Sequence, residues 1–378
     1  TATYKGVPQN GKILFPVANK DANPAVTTFG YNLVGNPYPS NINLLKLYEI
    51  NGGKTGASPI ASPNISPTFY FWDNNGNGQF TQQGNGYLGQ AYAIFNVLSG
   101  STGTGTKSSL GTKVPTSIVK VGQGFMTRTL LSNYDFVFNN SIRTSATSAA
   151  DFLGKGNSNV QDDRYWLQLT APSGITSTIA VVHYASGNNA FGPEDSRSMG
   201  GSDAIYTMVE NEKIAIEGRS SFANTDRIPL GTKHFATGNY TIGLDDKEGI
   251  FANGQSIYLK DLQTGIITNL SDGNYTFQAN AGESTGRFEI IYKPESVLAT
   301  NQTVKESVIV YRDGTDFIVK AENKKITALE VYDSVGRLIY SAKPNAVKVT
   351  VPTDRMLNGV YILKIDQGGT VTTKKVIR

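Results

Sequence analysis

The chain has 378 residues, a formal net charge of +4 and no cysteine. Its length exceeds one ordinary core and predicts two or three domains. Scattered lysines with so small an excess lack the footprint of a nucleic-acid binder, and the missing cysteines exclude disulfides, thiolate metal sites and cysteine nucleophiles.

Apolar residues are 39% and charged residues 17% of the chain, with 19 tyrosines against 2 tryptophans, a balance that favours strands and turns over helices. No stretch approaches the roughly 18 apolar residues of a membrane span. Thr1–Lys20 lacks the charged start and apolar middle of a signal peptide. Because Thr1 opens inside strand-like sequence, the chain is expected to be a processed form or the C-terminal part of a longer precursor.

Residues 1–150 alternate short apolar stretches with turn chemistry and are assigned to a first β-rich domain. The prolines of NPYPS, 36–40, fix their own φ and hold their predecessors out of the helical region, so this segment is an ordered bend. Ser40 then caps a short helix over Asn41–Tyr48. The segment SGSTGTGTKSSLGTK, 99–113, is a flexible loop by composition. It is no phosphate-binding loop, because Thr106 separates Gly105 from Lys107 where that motif needs them adjacent.

Within DNNGNG, 73–78, Asp73, Asn75 and Asn77 have the alternating oxygen-ligand spacing of a calcium loop. The twelfth position is Gly84 instead of the bidentate glutamate, which refutes a full EF-hand. A tight hairpin turn is the favoured reading and calcium the alternative; no other cofactor is expected.

Residues 151–294 form the second region, with RYWLQLTA, TIAVVHYA, AIYTMV, KIAIEG, YTIGL, SIYLKDL, YTFQAN and RFEIIY at short intervals between glycine, asparagine and aspartate. That spacing argues for an antiparallel sandwich. The polar segment 295–307 is the expected linker. From 308 to 378 come six or seven further strands, SVIVYR to TTKKVIR, which predict a small immunoglobulin-like sandwich of two facing sheets. The last 22 residues, LNGVYILKIDQGGTVTTKKVIR, read as a hairpin whose second strand runs to the terminus. The expected fold class is therefore all-β: tandem antiparallel sandwich-like domains with an immunoglobulin-like unit at the end.

Catalytic signatures are missing: there is no HExxH, no GxSxG and no pair of metal-spaced histidines. His183 and His234 are read as structural, and Glu194, Asp195, Glu210 and Glu212 as solvated loop or strand faces. Tyr70, Phe71, Trp72, Tyr87, Tyr165 and Trp166 are read mostly as core, with a sugar-stacking platform as the alternative. No enzymatic activity is expected.

The order VYDSVGRLIY, then VPTDRMLNGVYILKI, then KKVIR resembles the type A C-terminal sorting domain of the type IX secretion system of Bacteroidetes. Within that resemblance Asp333, Gly336 and Arg337 match the family's turn. Gly359, Val360 and Tyr361 match its Gly-Val-Tyr strand start, and Lys374, Lys375, Val376, Ile377 and Arg378 match its basic-apolar-basic ending. The Tyr-Pro-Asn-Pro opening of many members is absent, since VYRDGTDF keeps only the tyrosine. Bottom-up, Gly336 and Gly359 occupy positions expected to need positive φ, and Leu338, Ile339, Val360, Ile362 and Ile365 are core or sheet-facing.

The resemblance implies an export address recognised by the outer-membrane translocon, with shuttle and sortase proteins as partners and a secreted or cell-surface destination. FGYNLVGNPYPSNI, VGQGFMTRT and SIRTS resemble stretches that precede this domain in flavobacterial surface proteins, which implies an adhesin-like context and a surface glycan as a possible ligand. The alternative is an accessory carbohydrate-binding region of a secreted glycoside hydrolase. Lysines at a strand end equally protect an exposed sheet edge.

Overall fold

In the computed structural model the described residues are 5–21, 29–55, 63–73, 91–109, 111–146, 162–294, 308–322, 324–354 and 356–378. About 52% is strand and about 4% helix, so the fold is all-β and sandwich-like. Among the described residues no helix is long and apolar enough to cross a membrane. The chain divides into two compact units, Thr1–Pro294 and Glu295–Arg378. The expected linker and the expected boundary at 150 lie outside the described residues.

The first unit is built on two cores. One gathers Val17, Ile42, Leu47, Phe69, Phe95, Phe125 and Phe136 beneath a five-stranded sheet ordered Tyr31–Gly35, Gly124–Thr129, Ile65–Trp72, Tyr92–Asn96, Thr104–Thr106. The helix on this core is Leu44–Ile50, shorter and later than the sequence suggests. Asn41–Asn43 pairs as a strand instead, and the Asn43 side chain, not Ser40, caps the helix by accepting from the N–H groups of Leu45 and Lys46. The NPYPS bend is ordered as expected: Asn36 Nδ2 donates to the Ser40 and Lys120 carbonyls at 2.8 and 3.1 Å.

The other core gathers Tyr165, Leu167, Ile179, Leu230, Ile242, Leu259 and Phe288. All belong to one continuous sheet of eleven strands, which must therefore curl around its own core. Bulges at Trp166/Leu167 and Leu230/Gly231 supply bends, as bulges do where a sheet turns a corner. The pairing is antiparallel except between Ala180–His183 and Ile216–Arg219, which run parallel.

A third cluster, Tyr70 and Ile94 with Trp166, Ala180, Ala215 and Ile216, joins the two halves. Segment 99–113 serves this junction and is not the flexible loop its composition suggests. Thr104–Thr106 is a buried strand, and the Trp166 indole donates to the Gly105 carbonyl at 2.7 Å. The glycines are there for close approach: a Cβ on Gly105 would sit 2.3 Å from the Pro115 carbonyl oxygen. Gly105→Ala is expected to destabilise the protein by about 1–3 kcal/mol through overpacking. Chemical denaturation measures it, and an unchanged midpoint would refute this packing role.

Among its described residues the second unit has seven strands. The first, second and fifth, Val308–Asp313, Asp316–Ala321 and Lys348–Val351, form one sheet; the fourth, third, sixth and seventh, Leu338–Ala342, Ala328–Asp333, Val360–Asp366 and Val371–Ile377, form the other. This order differs from the constant immunoglobulin arrangement only in the fourth strand, which joins the opposite sheet. Phe317, Val319, Leu329, Val331, Val351, Leu363 and Ile365 fill the space between.

Candidate functional site

The terminal hairpin closes on Gly368 and Gly369, at φ +73° and +99°, the two-residue turn that matches strand twist. Gln367 N–H donates to the Thr370 carbonyl at 2.9 Å, and the ladder then runs from Asp366↔Val371 to Val360↔Ile377. It continues one residue further: Gly359 and Arg378 exchange N–H···O bonds of 3.2 and 2.9 Å. The last residue is thus paired backbone, not a frayed end.

That exchange fixes the alternation, since hydrogen-bonded and non-bonded pairs alternate in an antiparallel ladder. The amides of Thr372, Lys374, Val376 and Arg378 face the neighbouring strand, and those of Thr373, Lys375 and Ile377 face away from it. The strand is last in its sheet, so those outward groups have no strand beside them among the described residues. Side chains alternate as well: Val376 packs against the core and Lys374 is half-buried, while Lys375 and Ile377 are exposed on the opposite face.

The turn motif is self-closing. Asp333 Oδ1 accepts from the N–H groups of Val335 and Arg337 at 3.1 and 2.9 Å, and Oδ2 accepts from Arg337 Nε at 3.1 Å. Gly336 takes φ +83°. The Arg337 backbone N–H, foremost among several donors, holds the Asp333 carboxyl below its usual range. The spacing of Asp, Gly and Arg is thereby explained: an acceptor, a left-handed position and a donor complete one turn.

Register brings the three motifs together. Asp333 lies opposite Tyr361, Tyr361 opposite Val376, Val360 opposite Ile377 and Gly359 opposite Arg378. All three therefore meet at one end of one sheet, with Lys375 and Lys374 one and two pairs further along. Tyr361 is buried and its hydroxyl donates to the Leu357 carbonyl at 2.8 Å, tying down the approach to the strand.

Two expectations are corrected. Gly359 is outside the positive-φ region and a Cβ there meets nothing within 4 Å, so neither backbone conformation nor space demands glycine. Leu338 is 49% exposed; it stands opposite Tyr332, away from the core, beside the register shift between Val331 and Tyr332.

In the first unit Asp73 accepts from Ser108 Oγ at 2.9 Å, while Asn75 and Asn77 lie outside the described residues. Among the described residues no three His, Asp or Glu side chains are grouped to hold a metal. Tyr70, Phe71, Tyr165 and Trp166 are buried; Trp72 is partly exposed and packs edge-on against Tyr92. Tyr87 lies outside the described residues.

His183 is buried, with Nε2 2.8 Å from the Tyr292 hydroxyl and Nδ1 3.2 Å from the Ser220 carbonyl. Burial, aided by Arg219, pulls its pKa down to about 4. Glu194 and Asp195 are buried rather than solvated. Asp195 accepts from Gly192 N–H and Gly218 N–H, both at 2.9 Å, yet burial pushes it up to about 8. Glu210 is exposed and Glu212 pairs with Arg197 at 2.8 and 3.0 Å. The local sequence around Glu194 and Asp195 carries no burial signal, because the strand that covers them, Glu212–Arg219, is distant.

Residues 1–292 match the family described as "Domain of unknown function (DUF8693)", and the chain belongs to that family. Residues 298–378 match "Domain of unknown function (DUF8694)". The chain is 24% identical, over 92% of its length, to the minor fimbrium subunit Mfa5 of Porphyromonas gingivalis, and it spans 27% of that protein. Two solved structures show low similarity. HBP35 of Porphyromonas gingivalis is 14% identical with TM-score 0.15, over 40% of this chain and 59% of that one. PorZ, titled an essential bacterial surface component of the type IX secretion system of Porphyromonas gingivalis, is 9% identical with TM-score 0.17, over 98% of this chain and 58% of that one. Scores this low describe no shared fold.

Two predictions arise from these sites. Gly336→Ala is expected to cost about 1–2 kcal/mol, because a side chain enters the left-handed region, whereas Gly359→Ala leaves the melting temperature unchanged. Equal effects in thermal unfolding would overturn this division.

The second concerns pH. The depressed His183 pKa contributes stability that is full above its ordinary 6.5 and lost as pH falls through about 4, while the raised Asp195 pKa contributes stability that is full below 3.8 and lost as pH rises through about 8. Relative to the parent, His183→Gln is expected to lose a rise of stability with pH between about 4 and 6.5, and Asp195→Asn to lose a fall of stability with pH that runs across the whole interval from about 4 to 8. Profiles parallel to the parent would contradict it.

Proposed function

We propose that this chain is a cargo of the type IX secretion system of Bacteroidetes, with residues 308–378 as the address read at the outer-membrane translocon. Residues 1–294 are then the delivered part, a secreted or cell-surface, adhesin-like region. The observation that carries this reading is the meeting of three sequence-distant motifs at one end of one sheet, finished by a strand paired to its last residue. An ordered edge strand offers a receptor both backbone groups and side chains at fixed spacing.

The surface destination is supported by the similarity to Mfa5, named a minor fimbrium subunit. Asp333 and Gly336 shape the end of the sheet, while Lys375 and Ile377 are exposed on the outer face of the strand and Arg378 closes its end. The partners are the translocon with its shuttle and sortase proteins. The work is recognition, not catalysis.

Fusing residues 295–378 to a fluorescent protein in a gliding bacterium with an intact secretion machine tests the proposal. Reporter outside the cells, and periplasmic retention when 374–378 are removed, is the expected result. Retention of the complete fusion in the periplasm would refute the address.

A further inference from the structure

A polar groove in the first unit is built by a backbone irregularity. Strand Arg227–His234 runs opposite Gly282–Ile291, with His234 facing Gly282 and Leu230 facing Phe288. Between these pairs the register jumps, for Gly231 faces Thr285 and leaves Gly286 and Arg287 as extra residues. Gly286 at φ +85° permits the bulge, a device that re-aims a side chain. Here it sends Arg287 over Phe277 and Phe288, with its guanidinium carbon 4.8 and 4.9 Å from their ring centroids.

Arg287 then forks onto the fully buried Asp261, with Nη2 2.9 Å from Oδ2, while Nη1 donates to the Gln278 carbonyl at 3.1 Å. Burial alone would raise Asp261, but the hydrogen bonds from Arg287 and Tyr275 outweigh it and keep the carboxyl low. Around this pair lies a cavity of about 360 Å³, walled by His234, Gln263, Gln278, Asn280, Ser284 and Glu283. The size falls within the range of about 300–1,000 Å³ for small-ligand sites.

The charges on this wall are balanced from within. Arg287 is taken by Asp261, and Glu283 accepts from Tyr206 Oη and Lys213 Nζ, both at 2.6 Å. What remains for a ligand is the exposed side-chain amides of Gln263, Gln278 and Asn280 and the half-buried hydroxyl of Ser284. Each amide offers two donors and an acceptor, which suits hydroxyl groups that both donate and accept. His234 also lines the groove, but its Nε2 is buried, so the groups left to meet hydroxyls are the amides and Ser284. Among the described residues that line the groove, none is a large apolar side chain that would anchor a peptide, and the one arginine is already paired.

We propose that this groove binds a neutral saccharide, held by the amides of Gln263, Gln278 and Asn280 and the hydroxyl of Ser284 beside the Arg287–Asp261 fork. The site lies in the first unit and does not rest on the export address.

The test uses the full chain against an array of neutral oligosaccharides ending in glucose, galactose, mannose, fucose, N-acetylglucosamine or N-acetylgalactosamine, with sialylated and sulfated glycans alongside. Saturable binding of a neutral glycan is expected. Calorimetry with that glycan should show at least a tenfold loss for Gln278→Ala and for Asn280→Ala, at unchanged melting temperature. These side chains are exposed and hold no other part of the fold, and Gln263→Ala, on a separate turn, gives an independent reading. Binding of none of the neutral glycans, preference for acidic ones, or binding indifferent to all three substitutions would overturn the assignment.

Discussion

The pair of backbone hydrogen bonds between Gly359 and Arg378 sets the terminal unit. It fixes which amides of the last strand point into the sheet and which point out, and it puts Val376 on the core side with Ile377 outside. A slip of one residue would invert every one of those placements. It would also break the row that joins Asp333, Tyr361 and Val376 across three strands. An edge strand with an open ladder invites unwanted pairing. Lysines along it oppose association with a second copy.

Local signals were readable in the sequence because their causes are local. The Asp333–Arg337 turn is complete within five residues, and the Gly368–Gly369 turn within two, so residue type alone announces each. The convergence of the three motifs is different: it depends on a register between strands separated by tens of residues. Gly359 illustrates the limit. It has the look of a turn glycine, yet its backbone lies outside the region that needs one.

In the first unit, composition misleads where glycine serves packing. The Gly- and Thr-rich segment at 99–113 has the make-up of a flexible loop but is held by the Trp166 indole, a partner that no local window around residue 105 contains. The burial of Asp195 and the groove around Arg287 were likewise invisible, since each is assembled from elements far apart in sequence. The groove needs a bulge, and a lone Gly286 hints at one without saying which side chain it redirects. Alternation and turn chemistry gave the all-β class well, whereas the single continuous eleven-stranded sheet and its one parallel pair follow from long-range pairing.

Amide hydrogen exchange across Val371–Arg378 in the intact chain tests the central claim most directly. The account predicts an alternating pattern, with Thr372, Lys374, Val376 and Arg378 protected and Thr373, Lys375 and Ile377 exchanging fast. Uniform fast exchange through the last eight residues, or the opposite alternation, would contradict it.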